Sequence, residues 1–453
     1  RCREARETGA DHSDPGGRMG TMRLPLPVRV ADHEPLLDCS YFDAGLCRSC
    51  TLLKTPQDTQ LAGKQALAES LLAPFAGRAD VWEAPWASSR EAFRNKVKLV
   101  VTGTATKPNL GIIGPGGRGQ DLRDCPLPTP GIQLATPALA QFIAECGFRP
   151  YDHTSDRGVL KFVIVTESPT GELMIRFVAR RRGVRGMLFK MLDRLRELVP
   201  AARVVSLNVQ PERKAVLEGS EEIPISAQST LPMTLDVSGQ PLTLNLRPQS
   251  FFQTNTDAAQ VLYSRAVEWV HDVVGSSSRR SGSLRGAAKP VTAWDLYCGV
   301  GGFGLALAGA GMRVIGVEAQ EQAVGAARES VEEMRAAGLD VEADFVAADA
   351  IEWARAESSR QGAGLGVMRA GGLGAGPDVV VVNPPRRGIG RDLAEWIAGS
   401  GVDTVLYSSC NARSMAADLA AMRDFEVVKA QVVDMFAHTE HFETVALLKR
   451  ARG

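Results

Sequence analysis

Residues 291–410 alternate short apolar runs rich in β-branched residues with helix-like segments, and this alternation constrains the fold more than any other feature. The runs are VTAWDLY, RVIGVE, DFVAAD, DVVVVN and TVLYSSC. Short buried strands separated by helices are typical of a parallel sheet covered by helices on both faces. Two final runs, AQVVDMF and ETVALLKR, are joined only by the polar segment AHTEH. The sequence therefore predicts an α/β fold in which a Rossmann-like parallel sheet is closed by a C-terminal antiparallel hairpin.

Composition sets only broad limits. At 453 residues the chain is long enough for two or three domains. Lys+Arg 52 balance Asp+Glu 52, so any binding of nucleic acid must come from a local patch. No apolar run approaches the ~18–20 residues of a membrane helix. Eight cysteines are too few for a secreted disulfide framework. We expect a cytoplasmic monomer with no membrane partner.

The chain is predicted to have three parts. Residues 1–38 mix charges, Gly and Pro without an apolar period, and we expect a disordered tail. Residues 39–245 mix strand-like runs with helix-like segments at 60–75 and 186–198, which predicts an α+β domain. Residues 246–453 hold the predicted parallel sheet. Two stretches rich in Gly, Ser and Arg, 275–289 and 358–376, are expected to be flexible insertions in that last domain.

A Gly-x-Gly-x-x-Gly turn follows the first strand of the predicted sheet. Gly299, Gly301 and Gly304 let the chain turn tightly and let a cofactor approach the backbone where the next helix begins. Glu318 ends the following strand, where a carboxylate can accept hydrogen bonds from a ribose diol. The glycine turn and Glu318 together indicate a cofactor that contains adenosine. The C-terminal hairpin favours S-adenosylmethionine over a nicotinamide dinucleotide.

Three polar positions fall where later strands end or begin. Asn383 opens an Asn-Pro-Pro-Arg turn after VVVV, and its amide can address the edge of a planar base. Cys410 follows another strand among polar residues, where a thiolate can be exposed and activated. Such a thiolate can add to C6 of uracil, which makes C5 able to attack the sulfonium methyl. The C5 proton must then leave, and Glu443 at the start of the last strand is the candidate base.

Two alternative functions stay open on these residues. An amino-methyltransferase acting on adenine or guanine would use Asn383 but would have no need of Cys410 or Glu443. A non-catalytic RNA-binding protein could keep the fold without the reaction. The presence of both Cys410 and Glu443 favours the uracil reaction.

The N-terminal cysteines form a separate group, with Cys39, Cys47 and Cys50 within twelve residues and Cys125 followed by Pro126. Four thiolates can hold either Zn²⁺ or an iron–sulfur cluster. A distant fourth cysteine followed by proline is typical of ferredoxin-type ligation, which favours a [4Fe–4S] cluster in the N-terminal α+β domain.

Together these features resemble the RNA uracil-C5 methyltransferase family, in particular its members that modify large-subunit ribosomal RNA. The similarity runs from about Cys39 to the C-terminus, and its most specific matches are CSYFDAGLCRSC, FRNKVKLVVTG, NVQPERKAVLEG, RPQSFFQTN, DLYCGVGGFGL, NPPRRGIG, YSSCN and DMFAHTEHFETVALL. Many relatives carry Asp at the position of Asn383. The resemblance implies S-adenosylmethionine as methyl donor, 23S ribosomal RNA as partner and a [4Fe–4S] cluster. The residue roles it implies are Gln253, Tyr297, Glu318 and Asn383 as methyl-donor contacts, Cys410 as nucleophile, Glu443 as proton acceptor, and Cys39, Cys47, Cys50 and Cys125 as cluster ligands.

Larger members of that family carry an N-terminal RNA-binding barrel, and the 38 residues before Cys39 are too short for one. We therefore expect the domain of residues 39–245 to bind the RNA. The candidate stretch is Arg176 to Arg196, where eight Lys and Arg face one Asp, enough for several phosphate contacts.

Overall fold

The computed structural model describes residues 36–213, 217–280, 291–362 and 376–451. The predicted tail lies outside these ranges up to residue 35. The helices are α1 (Ser40–Asp43), α2 (Gln57–Leu72), α3 (Pro130–Glu145), α4 (Arg185–Lys190), α5 (Leu192–Leu198), α6 (Thr256–Arg280), α7 (Gly302–Gly309), α8 (Glu321–Ala336), α9 (Ala350–Gly362), α10 (Arg391–Gly399) and α11 (Ala412–Leu419). The strands are β1 (Trp86–Ala87), β2 (Lys96–Gly103), β3 (Pro108–Ile113), β4 (Gly119–Asp121), β5 (Leu160–Glu167), β6 (Leu173–Ala179), β7 (Ala202–Val209), β8 (Glu221–Pro224), β9 (Leu231–Val237), β10 (Gln240–Leu246), β11 (Thr292–Leu296), β12 (Arg313–Glu318), β13 (Ala343–Ala347), β14 (Val379–Val382), β15 (Thr404–Ser409), β16 (Phe425–Asp434) and β17 (Glu443–Arg450).

The larger sheet has the strand order β1-β16-β17-β15-β14-β11-β12-β13. Strands β11 to β15 run parallel, and β17 pairs antiparallel with both β15 and β16. Its central strand β14 is four valines because both faces are covered. Val379 and Val381 join the core formed with α6, α7 and α8, while Val380 and Val382 join the core formed with α9, α10 and α11. The predicted parallel sheet with a closing antiparallel hairpin is confirmed.

The smaller sheet has the order β4-β3-β2-β5-β6-β7-β8 and is antiparallel except between β6 and β7. Helices α3, α4 and α5 bury Leu139, Leu188 and Leu195 against one face of this sheet, so an α+β unit is present as predicted. The helix predicted over 186–198 is wrong as a single element. Met191, with φ −101° and ψ 9°, separates α4 from α5.

The packing divides the chain differently from a boundary at residue 245. Strand β1 pairs parallel with β16, and α2 packs on β16 and α11. The hairpin β9–β10 packs against α6 and α8. Leu72 and Leu244 are buried in the cores of the larger sheet, on its two faces. Apolar faces of these early segments thus complete the larger sheet, and residues 88–225 carry the smaller one.

The two predicted insertions begin as helix. Helix α6 continues to Arg280 and α9 continues to Gly362, and the flexibility of the two stretches stays a prediction. The remainder of each stretch, 281–289 and 363–375, lies outside the described residues. Within the described ranges, no helix has the length and apolar character needed to cross a membrane.

Candidate active site

A tight turn joins β11 to α7 at the carboxyl edge of the larger sheet. Gly299 and Gly301 have φ of +55° and +85°, values that side chains disfavour. A Cβ at Gly301 would lie 2.9 Å from Cζ of Phe345, and one at Gly302 would overlap the ring of Tyr263. The turn therefore requires glycine for its backbone angles and for close packing.

Two carboxylates hold this turn. Glu318 at the end of β12 accepts hydrogen bonds from the backbone N–H of Gly299 at 3.2 Å and of Gln320 at 3.0 Å. Asp295, fully buried in β11, accepts one from the N–H of Gly304 at 2.8 Å, while its Oδ1 has no partner among the described residues. Burial raises the pKa of Asp295 to about 7. Glu318 thus lies beside the turn at the edge where open α/β sheets bind ligands.

The ends of three neighbouring strands bring the predicted reactive residues together. Asn383 follows β14, Cys410 follows β15, and Glu443 begins β17. Ser409 of β15 pairs with Thr444 of β17, so the next residue on each strand, Cys410 and Glu443, face each other across the ladder. This antiparallel pairing joins residues that are 33 positions apart in the chain.

Glu443 is a buried carboxylate with 2% of its surface exposed. Its Oε1 accepts hydrogen bonds from Ser408 Oγ at 2.7 Å and from Asn383 Nδ2 at 3.3 Å. Burial raises the pKa of Glu443 to about 7, and these two donors oppose that rise. A carboxylate whose pKa lies near neutrality is suited to accept a proton during a reaction.

Cys410 is half-buried at the start of a loop that is tied to its neighbours. The Asn411 side chain caps α11 by accepting from the N–H of Arg413, and its Nδ2 donates to the Arg386 carbonyl at 2.9 Å. The Arg386 guanidinium lies 3.1 Å from Nδ1 of His441. Burial and the Glu443 charge raise the pKa of the Cys410 thiol, while Arg386 lowers it.

Gln253 and Tyr297, the two remaining residues predicted to contact the methyl donor, also lie near this edge. Gln253 is buried, and its backbone carbonyl accepts a hydrogen bond from Asn95 Nδ2 at 3.1 Å. Asn255, two residues on, donates to the Met435 carbonyl just after β16. Tyr297 is half-buried with φ +66° at the start of the glycine turn.

The four N-terminal cysteines converge. Cys39, Cys47, Cys50 and Cys125 line one cavity of about 280 Å³, with Arg94 in its wall. Burial and the three neighbouring thiols raise the pKa of Cys50 to about 12. Across the described ranges, no three or more His, Cys, Asp or Glu side chains are arranged to hold a metal ion. The predicted cluster is therefore not confirmed, although its four predicted ligands share one cavity.

The predicted RNA-binding stretch is corrected by the structure. Arg176 is 1% exposed, and its guanidinium pairs with Glu222 and Glu218 at 2.7 Å each. Arg194 pairs with Glu145, which lies on α3. The expected excess of positive charge is reduced because carboxylates from distant parts of the chain neutralise it. Within the described part of the chain, no carboxylate pairs with the exposed side chains of Arg181, Arg185 and Lys190.

Sequence reasoning missed Ser408 and Asp295. Ser408 contacts Glu443 only through the pairing of β15 with β17, which no local pattern reveals. Asp295 carries a usable signal, since a lone acid inside the apolar run VTAWDLY must be buried and must find a donor.

A parallel sheet with a glycine turn after its first strand and a closing antiparallel hairpin is the fold of S-adenosylmethionine-dependent methyltransferases. The structure of Pyrococcus abyssi tRNA (uracil-54, C5)-methyltransferase in complex with S-adenosyl-L-homocysteine shares this fold. It matches with a TM-score of 0.63 and 24% identity, covering 89% of this chain and 86% of that one.

Residues 219–451 match the family model of tRNA (uracil-5-)-methyltransferases. The 23S rRNA (uracil(747)-C(5))-methyltransferase RlmC of Yersinia pestis (strain Pestoides F) is 39% identical over 417 residues, 92% of this chain and 100% of that protein. The RlmC of Yersinia pseudotuberculosis serotype I (strain IP32953) matches to the same extent. This chain belongs to the uracil-C5 methyltransferase family.

Proposed function

We propose that this protein transfers a methyl group from S-adenosylmethionine to C5 of a uracil in 23S ribosomal RNA, and that the base is uracil 747, as in the names of its relatives. The observation that carries the proposal is the meeting of Cys410 and Glu443 across β15 and β17. An amino-methyltransferase would have no use for a thiol facing a buried carboxylate. A non-catalytic RNA-binding protein would have use for neither.

The reaction uses both groups in sequence. The Cys410 thiolate forms a bond to C6, and the C5–C6 π electrons move to make an enolate with a nucleophilic C5. C5 then takes the methyl group, and the S–CH₃ electron pair stays on sulfur to give S-adenosylhomocysteine. Glu443 removes the C5 proton, the C5–H pair re-forms the double bond, and the C6–S bond breaks to release Cys410 as thiolate. Arg386, near Cys410, favours the thiolate at both ends of this sequence.

The methyl donor is proposed to bind over the glycine turn. Glu318 and the turn residues Gly299 and Gly301 lie where its adenosyl group would be held. Gln253 and Tyr297 are proposed as further contacts. Asn383 is proposed to serve both the donor and Glu443, since its amide already donates to that carboxylate.

We further propose that the four N-terminal thiols hold a [4Fe–4S] cluster rather than Zn²⁺. Four thiolates can hold either group, and the distant Cys125 followed by Pro126 is typical of ferredoxin-type ligation. The four cysteines line one cavity, which supports a common ligand. When bound, the cluster supplies cross-links among the segments that carry these thiols. Next to them, the N–H of Leu52 donates to the His438 carbonyl at 2.9 Å, so the cysteine loop contacts the segment between β16 and β17.

The RNA is proposed to contact the exposed cations of α4 and the residues before it. The Arg185 guanidinium stands over the ring of the exposed Phe189, 5.1 Å from its centroid, and Arg181 and Lys190 are exposed in the same segment. Exposed cations and an exposed aromatic ring suit phosphates and an unstacked base.

The test is methylation of 23S ribosomal RNA by the purified protein, with the product mapped as 5-methyluridine. Cys410→Ala should abolish transfer while donor binding stays nearly intact, because the thiol acts on the base and not on the donor. Methyladenine or methylguanine as product, or full turnover by Cys410→Ala, would contradict the proposal.

A further inference from the structure

Glu443 is held through only one of its two carboxylate oxygens. Oε1 accepts from Ser408 Oγ at 2.7 Å and from Asn383 Nδ2 at 3.3 Å. Within the described ranges, no residue donates to Oε2. The shorter bond comes from a hydroxyl that is fully buried in β15.

Few other groups can support this carboxylate. The polar or titratable groups that face it are Ser408 from β15, Asn383 after β14, the Cys410 thiol and the Tyr263 phenol from α6. On the other side β16 places Val433 opposite it. Among the described residues, neither the thiol nor the phenol forms a hydrogen bond to Glu443. Support for the ionised form therefore depends on the two hydrogen bonds.

We propose that Ser408 is a positioning residue: its hydroxyl fixes Oε1 of Glu443, leaves Oε2 free to take the C5 proton, and stabilises the ionised carboxylate. The inference rests on the proposed function, since it requires Glu443 to act as the base. Loss of this bond corresponds to a rise of about one to two pH units in the titration of Glu443.

The variant Ser408→Ala tests this. The measurement is the pH dependence of adduct resolution in single-turnover reactions with 23S ribosomal RNA and S-adenosylmethionine. The acid limb of the profile should move up by about one to two pH units, so that resolution at pH 7 slows about 5- to 50-fold and recovers at higher pH. Ser408→Thr restores the hydroxyl and should restore the limb. The KM for the methyl donor should not change in either variant.

Ser409→Ala is the matched control. Ser409 is equally buried, but its hydroxyl bonds only to the backbone of Asn411, at 3.2 and 3.1 Å. The acid limb of the Ser409→Ala profile should coincide with that of the wild type, whatever the rate of this variant. The inference is overturned if the acid limb of Ser408→Ala stays at the wild-type position, or if this variant loses rate equally at every pH. Either result leaves the proposed function standing. Absence of 5-methyluridine with the wild-type protein overturns both.

Discussion

Replacing Glu443 by Gln should trap the protein covalently on its RNA. Gln keeps the shape of the side chain, and its carbonyl can still accept from Ser408 and Asn383. It cannot take the C5 proton, so release of Cys410 from C6 should slow by ~10²–10⁴-fold, the usual contribution of a general base. The substitution also removes a negative charge that raises the pKa of the Cys410 thiol. Addition becomes easier while elimination becomes slower, and a methylated adduct should accumulate.

The assay is a denaturing gel of the variant mixed with 23S ribosomal RNA and S-adenosylmethionine, followed by mass spectrometry of the slow-migrating band. The band should carry the transferred methyl group, and it should disappear in the double variant Cys410→Ala, Glu443→Gln. Turnover of Glu443→Gln close to that of the wild type would refute the reasoning. Loss of turnover without an adduct would place Glu443 before methyl transfer and would refute its assignment as the final base.

Three further predictions concern pH, iron and RNA. Burial raises the pKa of Glu443 to about 7, so this base is ionised above that pH and neutral below it. The wild-type rate of adduct resolution should therefore rise through pH 7. A flat profile from pH 5.5 to 8.5 would exclude this titration. Protein purified without oxygen should be brown and hold about four iron per chain, whereas Cys50→Ser should lose the iron; stoichiometric zinc would contradict the cluster. Arg185→Ala should weaken RNA binding and reduce the salt slope by about one phosphate contact. Arg176→Ala, which leaves the largely buried Glu222 without its cationic partner, should lower the free energy of unfolding by ~3–5 kcal/mol with little change in that slope. A reduced salt slope for Arg176→Ala in salt titrations, or a loss of stability for Arg185→Ala in denaturant melts, would contradict these assignments.

Features of the chemistry that depend on neighbours in the chain could be predicted from the sequence. The glycine turn is encoded locally, because Gly299 and Gly301 must take positive φ directly after a buried strand. The run Val379–Val382 indicates a strand covered on both faces, since four adjacent apolar residues leave no solvent side. Cys410 and Glu443 could be named as candidates because each stands at a strand end.

Contacts across the sheets were decided only by the tertiary structure. The eight cations between Arg176 and Arg196 predict a phosphate-binding surface, yet β8 brings Glu222 against Arg176 and removes it from solvent. A charge pattern along one segment contains no information about carboxylates that a distant strand will supply.

The same limit applies to Glu443, the proposed general base. The sequence by itself determined that Glu443 starts the last strand, and its local pattern suits either a solvated carboxylate or a catalytic one. The antiparallel register of β15 and β17 decided between these environments by burying Glu443 and placing Ser408 2.7 Å from its Oε1. A register depends on how many residues each strand spans before the chain returns and on which faces are buried, so the tertiary structure alone gave Glu443 a pKa near neutrality.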